Sequence, residues 1–195
     1  MTPLLTGVFA SQISGHLTVP DSGAMFPIAM VNVGSAGAST ITFSSIPQTY
    51  KHLQIRSLSR TTYSGGTDGD YLKIRFNGDT TANYAVHSLR GNGSSAYALG
   101  YASQNEGWIG RSGATGLSSN IFGALVTDIL DYTSTSKTKT IRNLGGYDAN
   151  GSGIVELDSA LWFATPAAIT SITLNSGAGT GFEQYSQFAL FGIKG

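Results

Sequence analysis

The residues able to do chemistry in this sequence are few and scattered. His16, His52 and His87 stand far apart. None has a carboxylate or a second histidine at the i, i+2 or i, i+4 spacing of a zinc site. His52 and His87 fall in expected strands and read as hydrogen-bonded structural residues. There is no cysteine, which excludes thiolate ligands and disulfides. Thr67-Asp68-Gly69-Asp70 has the oxygen-rich look of a calcium loop, but it lacks the spacing and closing Glu of an EF-hand, and turn formation accounts for Asp beside Gly. Glu156 and Asp158 lie two apart on an expected strand. That separates their side chains by roughly 7 Å, a distance within reach of glycoside hydrolysis, although any solvent-facing strand carries such a pair. No Gly-x-Ser-x-Gly elbow occurs, and Gly110 to Gly116 lacks the Lys-Ser/Thr of a phosphate loop. The sequence gives no support to an enzyme and implies no cofactor.

Aromatic residues are the other candidates: nine Tyr, nine Phe and two Trp. Tyr63, Tyr97, Tyr101, Trp108 and Tyr147 fall near expected loops, where such rings stack on sugars or anchor protein contacts. Trp162 shares a strand face with Glu156 and Asp158, and a neighbouring strand or subunit would have to cover it.

The elements that position these residues are strands. In Tyr71 to Phe76, Leu72, Ile74 and Phe76 take one face and Tyr71, Lys73 and Arg75 the other, the period of a half-buried strand. Asn77-Gly78-Asp79 then supplies a tight turn. Further strands are expected at 40–43, 52–58, 84–89, 121–130, 139–144, 154–163, 171–174 and 187–193. In the 154–163 strand, Val155, Leu157, Leu161 and Phe163 are expected inward and Glu156 and Asp158 outward. Gly- and Ser-rich stretches punctuate these runs, notably 91–95 and 110–116. The pattern predicts an all-β fold, an antiparallel β-sandwich of jelly-roll type over 36–195. Residues 1–35 carry Pro3, Pro20 and Pro27 and little alternation. They read either as an arm that docks on a neighbouring subunit, with Leu4, Leu5, Val8 and Phe9 as contacts, or as an ordinary N-terminal edge strand.

Charged residues make up only 11% of the 195, and 11 Lys and Arg balance 11 Asp and Glu. A typical soluble domain has about 25% charged residues. No basic field exists to neutralise phosphates, so nucleic acid is not an expected partner. A surface near zero net charge favours association, which suits an assembly subunit. No apolar run reaches the length of a membrane span, and the start MTPLLTGVFA lacks the basic and apolar regions of a signal peptide. Synthesis in a cytoplasm without export is expected.

One segment is more distinctive. Ile41 to Arg56 carries Phe43-x-x-Ile46-Pro47, then Tyr50-x-His52-Leu53 and an alternating strand. Pro47 restricts Ile46 to extended geometry, so Phe43 and Ile46 can seal one end of a sandwich. This segment resembles structural proteins of tailed-phage virions, and Ile74 to Tyr84 and Ile169 to Lys194 are similar to the same family. The resemblance covers most of 38–195. It implies a virion structural protein: a capsid decoration or cement protein, a homotrimer in contact with phage capsid or tail proteins, or alternatively a tail, fibre or collar protein that binds host surface glycan.

Overall fold

The computed structural model describes residues 23–65 and 67–195. The described elements are twelve strands and no helix: β1 (Met25–Asn32), β2 (Ile41–Phe43), β3 (His52–Thr61), β4 (Asp70–Phe76), β5 (Tyr84–Gly91), β6 (Ala96–Gln104), β7 (Gly107–Ala114), β8 (Gly123–Ile129), β9 (Lys139–Asp148), β10 (Gly153–Trp162), β11 (Ile172–Ser176) and β12 (Gln187–Ile193).

Eight of them pair as one long antiparallel hairpin nested on itself. β4 pairs β7 at the closed end; β3 then pairs β8, β2 pairs β11 and β1 pairs β12. Rolling the hairpin brings β12 beside β3 and β11 beside β4. The result is two layers, β1-β12-β3-β8 and β2-β11-β4-β7. A short parallel contact, Arg60 with Gly113 and Thr61 with Ala114, links them. Two more hairpins are inserted, β5–β6 after β4 and β9–β10 after β8. They pair on beyond β8 in the order β9-β10-β5-β6 and extend the first layer into a wing.

Alternation drives the sandwich. Leu72, Ile74 and Phe76 of β4 are fully buried, as are Leu53 and Ile55 of β3 and Phe188 and Leu190 of β12. Each such side chain contributes about 1.5–3 kcal/mol by leaving water. Phe76 packs its ring 5.6 Å from Trp162 of β10, joining the two layers. The turn after β4 places both Asn77 (φ 51°) and Gly78 (φ 70°) in the left-handed region, as Asn-Gly favours. Phe43 and Ile46 are buried at the sandwich end, where the Ile46 amide donates to the Thr170 carbonyl at 3.0 Å. His52 is structural: its Nδ1 accepts from the Asp131 amide at 3.0 Å.

The structure decides three expectations. Gly91–Ser95 is the expected turn, joining β5 to β6, but Gly110–Gly116, also expected as a loop, belongs to β7 as far as Ala114. Gly110 is required within β7: its φ is 98°, and a Cβ there would stand 2.4 Å from Asn143 Nδ2. Met25–Asn32 is an edge strand of the large sheet, with Pro27 beside a bulge in its pairing. Of the two alternatives for the N-terminal stretch, the edge strand therefore holds for 25–32; Leu4, Leu5, Val8 and Phe9 lie outside the described residues.

The third brings the largest correction. In β10, Glu156 and Asp158 are buried, while Val155, Leu157 and Phe163 are exposed and Leu161 sits on their side, half-buried. The phase of a strand is all or nothing, because one step moves every side chain to the other face. Ile154, Ala160 and Trp162 share the parity of Glu156 and Asp158. Their burial in the core fixes the strand, and the two carboxylates are carried inward with them.

Candidate functional site

The reversal of β10 leaves the outer face of the wing apolar. Val126 of β8 stands opposite Leu144 of β9, Leu144 opposite Leu157 of β10, and Leu157 opposite Leu89 of β5. These four side chains, with Val155 beside Leu157, are 40 to 66% exposed. The stripe crosses four strands, about 14 Å. It borders a hollow of about 540 Å³ whose walls include Gly91, Gly145, Gly146 and Val155. β8, β9 and β10 place aliphatics on both faces: Leu125 and Val126, Ile141 and Leu144, Ile154 and Val155. Strands of that composition belong to sheets covered on both sides, and contiguous exposed apolar surface marks an interaction site.

Beneath the stripe runs a polar spine. Thr127 Oγ1 donates to Asn143 Oδ1 at 2.7 Å, and Asn143 Nδ2 lies 3.5 Å from Asp158 Oδ2. Ser88 Oγ donates to Glu156 Oε1 at 2.7 Å. Arg111 Nε faces Glu156 Oε2 at 3.5 Å, an ion pair without a hydrogen bond, and Asp158 Oδ1 has no hydrogen-bond partner among the described residues. Burial, reinforced by the Glu156 charge, pushes the Asp158 carboxyl up to about 7. The two carboxylates once eligible for glycoside hydrolysis thus lie inside the protein, against β7. Among the described residues no three His, Asp or Glu side chains gather as a metal site. Asp70 is committed to turn formation, accepting from Ser176 Oγ and the Ala178 and Gly179 amides.

The structure brings two of the aromatic candidates together and separates the rest. Tyr101 of β6 and Trp108 of β7 have ring centroids 5.1 Å apart. Tyr71 of β4 extends the run at 4.5 Å from Trp108, and the Arg111 guanidinium lies 3.9 Å over Tyr71. Tyr97 is exposed on β6 beneath the Arg90 guanidinium at 4.9 Å. Tyr63 is half-buried and lines a hollow with Tyr71 and Arg111. Tyr147 is not a surface contact: it is buried, and its hydroxyl donates to the Thr67 carbonyl at 2.9 Å.

Sequence reasoning missed the stripe residues and Lys73, Arg75 and Glu106 beside Trp108. The signal for the stripe was present in the paired aliphatics of β8, β9 and β10. Glu106 offered none, because its partners come from β4 and β11. A scan against protein-family models and a search of curated proteins found no match.

Proposed function

We propose that this chain is a structural subunit of a tailed-phage particle, a capsid decoration or cement protein held by the apolar stripe on its wing. The stripe is the observation that carries the reading: a sheet face built with buried-strand composition but left open needs a partner surface. Shell or tail proteins presenting a complementary apolar patch fit that need. The low share of charged residues and the zero net charge support a subunit made to associate.

The fold supports it too. Renumbered along the nested hairpin, the eight strands run 1-8-3-6 in one layer and 2-7-4-5 in the other. We infer a jelly roll with two inserted hairpins, an architecture used by capsid and lectin domains alike. The resemblance of Ile41 to Arg56 to virion structural proteins points the same way.

Immunogold labelling of intact virions tests the reading. Label spread over the head is expected. Label confined to the tail overturns decoration in favour of a tail, fibre or collar role. Particles without label overturn the virion assignment. The Tyr71–Trp108–Tyr101 run favours a second reading, in which the protein binds host surface glycan from a tail position.

A further inference from the structure

We propose that the depression beside Trp108 is a binding site for one pyranose unit of a glycan. The inference gives the second reading its site and rests on the glycan-binding part of that reading, not on a place in the particle. The depression, about 350 Å³, lies where the β6–β7 turn meets β4, and its wall is almost wholly polar apart from Trp108. A volume at the lower end for ligand pockets suits a single sugar ring rather than a long chain.

Three features match what a pyranose requires. The first is an aromatic residue in the lining, to meet an apolar C–H of the sugar. Trp108 is that residue, held between Tyr71 at 4.5 Å and the exposed Tyr101 at 5.1 Å. The second is a fixed acceptor for vicinal hydroxyls. The Glu106 carboxylate takes a hydrogen bond on Oε1 from Asn175 Nδ2 at 2.8 Å, and Arg75 Nε approaches the same oxygen at 3.2 Å. Oε2 has only the longer approach of Lys73 Nζ at 3.5 Å, which leaves lone pairs for a hydroxyl. Orienting an acceptor before the ligand arrives removes ordering cost at binding.

The third feature is a rim of amide and hydroxyl groups, from Ser103, Gln104 and Asn105. Ser103 holds φ at 53°, a left-handed conformation that costs energy for a non-glycine residue and turns the rim toward β4. Lys73 and Arg75 share the outward side of β4, whose other side is the core. The site therefore joins the outer side of β4 to the β6 edge of the wing and shares no lining residue with the stripe.

Saturation-transfer NMR on the purified protein tests this, with the methyl pyranosides of glucose, galactose, mannose, rhamnose and N-acetylglucosamine as probes. At least one is expected to bind saturably with a roughly millimolar Kd. Trp108→Ala and Glu106→Gln should each weaken it at least tenfold. Tyr185→Ala, which removes a highly exposed ring elsewhere, should leave it unchanged. If Trp108→Ala unfolds the β4–β7 contact, Tyr101→Ala on the edge strand takes its place, with thermal melting as the check. No saturable binding by any of the five sugars overturns the proposal. So does binding that survives both Glu106→Gln and Tyr101→Ala. Because the assay uses no particles, its failure leaves the virion assignment standing, and unlabelled virions leave the sugar site standing.

Discussion

The rolled sandwich and the wing solve the same problem in opposite ways. In the sandwich, β3, β4 and β12 send Leu, Ile and Phe inward, and the charged residues they bury, Arg60 and Asp70, lie at strand ends. In the wing, β9 and β10 bury Asn143, Glu156 and Asp158 and expose Leu144, Val155 and Leu157. The two carboxylates that mark the regions diverge accordingly. Asp79, at the sandwich end, pays some desolvation, but hydrogen bonds from Thr81, Trp162 and Asn83 outweigh it and hold it well below the usual carboxylate range. Asp158 in the wing is pushed the other way, up to about 7. The sandwich is built for stability on its own, and the wing for a surface that stability alone does not call for.

The comparison breaks most visibly if the sandwich core proves dispensable. Phe76→Ala should cost about 3–5 kcal/mol in urea unfolding, and a loss under about 1 kcal/mol would show that the layers do not meet as described. Next comes the pH response of the wing. Asp158 titrates higher folded than unfolded, so its contribution is fully present below about pH 4 and is lost as pH rises through 7, by at most about 4 kcal/mol. Asp158→Asn should flatten that decline and leave the variant more stable than the parent at pH 8, as read by denaturation across pH. Arg111→Met would leave Glu156 buried without its cation and should cost about 3 kcal/mol; no loss would mean the spine is not charged in the folded state. The smallest stability effect sharpens the contrast most. Leu157→Ser should change unfolding by under about 0.5 kcal/mol yet abolish incorporation into particles, measured by comparing label on virions made with each form.

How far the sequence could be read follows the same division. β4 was legible nearly to the residue because its alternation is set by one apolar parity; β12 was legible in its bounds, although Phe191 and Ile193 stand on the other parity from the buried Phe188 and Leu190. β10 was legible as a strand but not in phase. Its apolar residues occupy both parities, and only the burial of Ile154, Ala160 and Trp162, the last packed on Phe76, decides between them. β6 was not expected at all, and β7 was hidden because Gly110 and Gly113 read as punctuation. In the structure Gly110 and Gly113 allow close backbone approach instead. Of the aromatic candidates, Tyr101 and Trp108 came together across the turn between β6 and β7, while Tyr71, seen only as the outward side of a strand, turned out to complete their run.

The nested pairing also sets a timetable. Met25 sits opposite Ile193, so the outermost rung closes a loop of almost the whole described chain, whereas β5–β6 and β9–β10 each close over a short turn. Loop-closure entropy makes distant pairings slow and local ones quick. On the ribosome the wing hairpins are complete while β1, β2 and β3 still wait for partners not yet synthesised. Each of those waiting strands presents an open ladder of amides and carbonyls. The interval before β12 arrives is when pairing with the wrong chain must be avoided. The pauses, chaperones and temperature of that interval bear on yield more than the stability of the finished fold.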